Sequence, residues 1–299
     1  MSEIEKLDVS VYTVPTEAPE SDGTLTWTAT TVVVAEPRAS GSTGLGFSYA
    51  TGACARLIND VPVYGSGGFT SLTDDELAHQ LGAWVHDLGI PRVKMKVGEA
   101  WGSRPERDLA RAALARRTIG EGPELFVDAN GGYATKQAIR LARAYADLGV
   151  TWFEEPVSSD HLGALAEIRA QTPIDIAAGE YGYDLFYFQA MCDAGAVDCL
   201  QADVSRCAGV TEWLRVAALA ESFGLQVSGH CAQSLHLHPA CAVDNVRHLE
   251  YFADHARLDR MLFDGVLEPA GGVLRPDLSR PGLGLELKRS DAEVYRVPG

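Results

Sequence analysis

The chain has 299 residues, 46% apolar and 22% charged, with a formal charge of -16 and a pI near 4.9. That is apolar mass for one full-sized core plus a small second domain, since a single βα barrel takes about 250 residues. The acidic balance argues against binding nucleic-acid phosphates, and no apolar stretch approaches the roughly 20 residues that span a bilayer.

Residues 5–14 and 25–35 read as strands, the second alternating and β-branched (TLTWTATTVVV), and GSTGLGFSY continues as an extended segment. Together they predict a small antiparallel sheet. At Val61 the rhythm changes to VPVYG, helix 73–88, VKMKV, helix 105–119, LFVDA, helix 134–148, TWFEE, helix 159–170, IDIAA, helix 184–193, DCLQA, helix 208–223, LQVSG, a short helix over 233–245, and VRHLE. Thr73 ahead of Asp74 and Asp75, and Thr135 ahead of its apolar stripe, are helix-start signals. Eight strands alternating with seven helices predict an α/β fold with a closed, TIM-like (β/α)8 barrel. The expected division is a capping domain over 1–60, the barrel over 61–265, and a Pro- and Gly-rich tail over 266–299 returning to the N-terminal sheet. The six cysteines (Cys54, Cys192, Cys199, Cys207, Cys231, Cys241) keep no disulfide or zinc spacing. Most lie in apolar runs, as reduced thiols do, and MSEIEKLDV shows no signal-peptide pattern. The expected location is the cytoplasm.

A ladder of polar residues closes these apolar runs: Lys94 and Lys96 in RVKMKVG, Asp128 in LFVDANGG, Glu154 in TWFEEP, Glu180 in IAAGE, Asp203 in LQADVSR, His230 in QVSGH and Glu250 in VRHLE. From Asp128 the steps are 26, 26, 23, 27 and 20 residues, about one βα unit each. In a barrel, one polar group per strand end converges at the carboxyl-terminal rim. Asp128, Glu154 and Glu180 would repel one another there without a cation, and an oxygen-only set favours magnesium. Glu154 is chosen over Glu155 because neighbours on a strand point to opposite sides. Lys94 and Lys96 share the inward face, where crowding of like charges should lower a lysine pKa toward that of a base. Asp203 is placed to orient His230. Glu250, if protonated, would donate to a substrate oxygen. Asn130 and Ser66 are candidate substrate contacts, with Ser66 in a GSGG loop after the first barrel strand. His236 and His238 have a metal-like spacing but fall in a helix start, where a structural role is favoured.

Taken together, KMK, DANGG, FEEP, AAGE, ADVSRCAG, SGH and HLE resemble the mandelate racemase subgroup of the enolase superfamily, over roughly residues 61–299. The resemblance implies Mg²⁺ on Asp128, Glu154 and Glu180, and Lys96 and the His230–Asp203 pair as acid/base groups on opposite faces of the substrate. It further implies Lys94 and Glu250 against the substrate carboxylate, and removal of a proton alpha to that carboxylate through an enediolate. Dehydration or racemisation of a hydroxy acid such as a sugar acid is expected, with a cycloisomerase, a dipeptide epimerase or a non-catalytic binding barrel as rivals. The chain departs from the pattern before the barrel, where GFSYATGACARLINDVPVYG leaves little room for the usual helical lid. A neighbouring subunit is therefore expected to cover the mouth, making a homo-oligomer.

Overall fold

The computed structural model describes residues 5–21, 26–49 and 60–296. Strands β1 (Lys6–Ser21) and β2 (Thr26–Ala39) pair antiparallel, from Lys6 opposite Arg38 to Pro15 opposite Ala29, with an irregularity before Glu20. Both β3 (Ser42–Thr43) and β4 (Gly46–Tyr49) also pair with β2. The sheet is the expected one, with a longer first strand. Pro15 is tolerated because β1 is an edge strand, where a missing N–H costs no ladder bond. Half of the stretch GFSYATGACARLINDVPVYG, residues 50–59, lies outside the described residues.

The barrel follows as β5 (Val61–Gly67), α1 (Asp74–Gly82), β6 (Arg92–Lys96), α2 (Pro105–Ile119), β7 (Glu124–Asp128), α3 (Thr135–Asp147), β8 (Val150–Glu154) and α4 (Leu162–Arg169). Its second half is β9 (Asp175–Ala178), α5 (Leu185–Asp193), β10 (Cys199–Ala202), α6 (Val210–Ser222), β11 (Gln226–Gly229), α7 (Gln233–Ala240), β12 (Val246–Phe252) and α8 (Ala253–Leu262). Each strand runs parallel to the next, and β12 pairs parallel with β5 to close the ring. The helix α8 is one more than the seven expected. Thr73 caps α1 with a capping box to Glu76. Thr135, by contrast, is the first helical residue of α3 and does not cap it. Among the described residues, no helix is long and apolar enough to cross a membrane.

Side-chain alternation divides the barrel strands. Val63, Val93, Met95, Leu125, Val127, Phe153, Ile176, Leu200, Val227 and Leu249 belong to the large buried cluster between strands and helices. Tyr64, Phe126, Trp152, Ala177 and Cys199 form a separate cluster inside the ring. The sequence around Gly65 and Gly67 reads as a loop, yet β5 runs through both. The reason is Trp84, which packs so closely that a Cβ on Gly65 would lie 2.6 Å from its indole.

The tail pairs with the barrel, and its Arg275 reaches Asp60 at 2.6 Å. Its described pairings are β14 (Val273–Leu274) antiparallel to Val61 and Pro62 of β5, and β13 (Phe263–Asp264) with β15 (Glu286–Leu287). No strand pairing with the N-terminal sheet occurs among the described residues. The start of β5 projects beyond its pairings with β6 and β12, which begin at Gly65 and Val63, so it offers an open edge that β14 fills.

Gly65→Ala should destabilise the protein by about 1–3 kcal/mol, because Trp84 has to move. Gly163→Ala, inside α4 with open space around its Cα, should leave stability unchanged or raise it by about 0.5–1 kcal/mol. Urea denaturation of the two variants against the parent checks both signs.

Candidate active site

The ladder residues stand where strand ends place them. Lys94 and Lys96 lie on β6, Asp128 and Glu154 are the last residues of β7 and β8, and Glu180, Asp203 and His230 follow β9, β10 and β11 by one or two residues. Glu250 lies within β12. All are buried except Lys96, whose side chain keeps 16% exposure toward the barrel mouth.

Oxygens of Asp128, Glu154 and Glu180 lie within 4.8 Å of one another. Lys94 Nζ is 2.5 Å from Glu154 Oε1, 2.9 Å from Glu250 Oε1 and 3.4 Å from Asp128 Oδ2. Lys96 donates to Asp128. His230 Nε2 is 3.4 Å from Glu180 Oε2, and His230 Nδ1 is 2.8 Å from Asp203 Oδ2. Asp203 also accepts from the backbone and hydroxyl of Ser205 at 2.7 and 2.6 Å. Lys96 thus contacts the triad at Asp128 and His230 contacts it at Glu180.

The electrostatics differ from the sequence expectation. Burial favours neutral lysines, but the surrounding carboxylates outweigh it and hold both Lys94 and Lys96 above the ordinary lysine range. Burial likewise favours a neutral Asp128, yet Lys96 and Lys94 bring it down to about 2. Glu154 is pushed well up by burial and by the charge of Asp128. Burial would also raise Asp203, but the hydrogen bonds from His230 and Ser205 lower it to about 2. Glu250 would donate to a substrate oxygen only if protonated. Despite its burial, Lys94, His230, Lys96 and the Ser66 hydrogen bond keep it well below the usual carboxylate range, so in this arrangement it accepts.

The two candidate substrate contacts differ in their placement. Ser66 is fully buried and donates its hydroxyl to Glu250 Oε1 at 2.6 Å. Asn130 is exposed, adopts φ +44°, and gives its backbone N–H to Asp128 Oδ1 at 2.9 Å. With Phe69, Lys96, Gly98 and Trp101 it lines an open cleft of about 570 Å³. His236 is buried and structural, its Nε2 accepting from the Val204 N–H at 2.9 Å.

Sequence reasoning missed the layer below. Glu154 Oε2 accepts from Trp152 Nε1 at 3.0 Å and from Gln201 Nε2 at 3.1 Å, and Gln201 also reaches the Tyr64 hydroxyl at 3.3 Å. It also misjudged Glu155. The strand conformation stops at Glu154, Glu155 turns to φ +38°, and its carboxyl stays buried with Oε1 unpartnered. Burial, then the charges of Glu180 and Asp128, raise it to about 8.

The residues present fit a divalent cation. Four acids (Asp128, Glu154, Glu180, Glu250) face two ammonium groups, and Glu180 Oε2 is buried without a hydrogen bond. An oxygen set of this kind suits a hard ion.

Residues 76–292 match the family model described as Enolase C-terminal domain-like. The chain belongs to the enolase superfamily, in its mandelate racemase subgroup. It is 34% identical over 259 residues to a D-galactarolactone cycloisomerase of Agrobacterium fabrum, covering 81% of this chain and 67% of that protein. A 3,6-anhydro-alpha-L-galactonate cycloisomerase of Streptomyces coelicolor is also 34% identical, over 76% of this chain and 61% of its own length. The chain therefore spans about two thirds of the length of such curated relatives. A crystal structure of a mandelate racemase/muconate lactonizing enzyme-like protein from Rubrobacter xylanophilus superposes with a TM-score of 0.75 at 41% identity, covering 98% of this chain and 99% of the other.

Glu155 generates a pH prediction for the protein without divalent cations. Its carboxyl is protonated in the fold and ionised in the unfolded chain between pH 4.5 and about 8. Its contribution to stability is therefore constant below 4.5, falls as pH rises through that window, and levels off above it. Glu155→Gln should lose this decline. Urea midpoints measured across the window, parent against variant, should converge at the acid end and separate at the alkaline end.

Proposed function

We propose that the protein abstracts the proton alpha to the carboxylate of a small hydroxy acid, with Mg²⁺ held by Asp128, Glu154 and Glu180. The observation that supports this reading is that Lys96 and His230 contact different members, Asp128 and Glu180, of one buried carboxylate triad. A lysine amine or an imidazole is far too weak a base for such a carbon acid unless the second negative charge of the enediolate is stabilised. A bound Mg²⁺ supplies that stabilisation and withdraws the carboxylate charge that otherwise keeps Lys96 protonated.

The chain's own residues do the rest. Lys94, fixed among Glu154, Glu250 and Asp128, presents positive charge to the substrate carboxylate. Lys96 moves a proton on one face. His230 moves one on the other, its Nδ1–H donated to Asp203 so that Nε2 faces the substrate. Asn130 beside Lys96 in the cleft is a substrate contact, and Ser66 acts by holding Glu250.

A sugar acid is the substrate class that best fits the carboxylate, ammonium and imidazole groups gathered around the triad. Return of the proton from the opposite face is racemisation or epimerisation. Loss of a β-hydroxyl, protonated by the second group, is dehydration. A second reading is favoured by the relatives at 34% identity, both named as cycloisomerases. Expulsion of a β ring oxygen after the same first step opens a lactone or anhydro ring without loss of water. The three outcomes share their first chemical event. The barrel mouth carries exposed Trp101, Tyr183 and Phe186, which suits cover by a second subunit.

Incubating mono- and diacid sugars and their lactones with enzyme and Mg²⁺ in heavy water should label the alpha carbon, as read by NMR. Lys96→Ala and His230→Asn should each slow turnover by about 10²–10⁴-fold, and one of them should still exchange the proton of a single epimer. Unchanged turnover in both would remove these residues from the reaction. Glu180→Gln should weaken Mg²⁺ binding at least tenfold by calorimetry, and light scattering should give a mass above the 32.1 kDa of one chain.

A further inference from the structure

Cys231 has no part in the reaction above, yet its thiol stands at the edge of the site. Along an extended strand, consecutive side chains point to opposite faces. Here the backbone turns, with φ +45° at Cys231 and +41° at Ala232, and the Cys231 Sγ comes to 3.3 Å from His230 Nε2. The same Nε2 is 3.7 Å from Glu250 Oε2 and 3.4 Å from Glu180 Oε2, the latter buried without a hydrogen bond. All four residues are buried.

We propose that His230, Cys231 and Glu250, whose donor atoms lie within 4.8 Å of one another, form a second metal site, for a thiophilic divalent ion such as zinc, whose occupancy shuts the enzyme off. With Zn–S of about 2.3 Å and Zn–N and Zn–O of about 2.0–2.1 Å, neighbouring donors of a tetrahedral centre stand about 3.4–3.6 Å apart. The spacings from Nε2 to Cys231 and Glu250, 3.3 and 3.7 Å, are those of donors around one ion. The donor types also separate the two sites. A nitrogen, a sulfur and a carboxylate oxygen suit zinc, whereas the oxygen-only triad suits magnesium.

The surroundings organise this set. Asp203 can only accept, so the proton of the His230–Asp203 bond sits on Nδ1 and the Nε2 lone pair faces the pocket, the arrangement of metal-bound imidazoles. The backbone N–H of Cys231 donates to Glu250 Oε2 at 2.8 Å and ties two of the ligands together. Burial and the charge of Glu250 hold the thiol in its protonated form in the absence of metal. On binding, the S–H bond breaks, an S–metal bond forms and one proton leaves to solvent. Binding stands on this geometry alone; inhibition rests on the proposed reaction, because it follows from occupying the Nε2 that His230 would use.

The test uses the full chain freed of magnesium, with cobalt(II) as the spectroscopic stand-in for zinc. Titration should raise a near-ultraviolet thiolate-to-cobalt charge-transfer band that excess Mg²⁺ leaves in place and zinc abolishes. The band should be absent in Cys231→Ser and in Cys231→Ala, each checked for folding by circular dichroism, and should need at least tenfold more cobalt in Glu250→Gln. No band in the parent, or a band surviving in the folded Cys231 variants, overturns the site. Zinc should also suppress alpha-proton exchange by the Mg²⁺-loaded parent, with at least tenfold less potency against Cys231→Ala. A band without such suppression overturns the inhibitory role.

Discussion

The placement of Lys94 inside a closed ring of strands, against Glu154, Glu250 and Asp128, is the constraint on which the rest of the structure depends. An ammonium buried this deeply is costly unless it is paired, and so is each carboxylate facing it. The barrel meets that cost by collective pairing. Asp128, Glu154, Glu180 and Glu250 outnumber Lys94 and Lys96, with Arg206 at 3.4 Å from Glu180 as a third cation, and a divalent ion would offset carboxylate charge left over. Without the ion, the pressure shows in Glu154 and Glu155, both held toward their protonated forms by burial and by their neighbours. The features that make the site unfavourable as plain structure are those that make it a receptor for a cation.

Precision in such a site comes from what stands beneath it. Trp152 and Gln201 fix one oxygen of Glu154 while Lys94 holds the other, and Ser66 with the Cys231 N–H fixes both oxygens of Glu250. Each of these contacts joins different strands or a strand and its following loop, except that of Trp152 on the same strand as Glu154. The carboxylates are therefore oriented by the ring as a whole, which is how rigid elements hold reacting groups within narrow limits.

Much of this was legible from the sequence because a parallel barrel converts chain period into position. Residues about one βα unit apart, each ending an apolar run, had to meet at the rim, and Asp128, Glu154, Glu180, Asp203, His230 and Glu250 do. The layer below obeys the same rule two residues earlier: Tyr64, Phe126, Trp152, Gln201, Ser228 and His248 each precede a rim residue by two and face the same interior. That signal was present and unused. What could not be read were local departures from strand geometry. Glu155, Asn130, Cys231 and Ala232 all adopt positive φ, where alternation no longer tells which way a side chain points. Nor could the lysine charge states be read, since they depend on distances to carboxylates on other strands. The path of the tail depended on an open edge at Val61 and Pro62 that only the assembled ring reveals.

The seam between the last and first strands carries one more implication. The Ser66 hydroxyl and Glu250 are 184 residues apart in the chain, and their bond forms only where β12 meets β5. During synthesis the lysines and the three acids are made long before Glu250, the carboxylate that pairs with Lys94 across the seam. Contacts of such sequence separation are slow to form. Ring closure is thus the event that sets Glu250 against Lys94 and completes the receptor's walls.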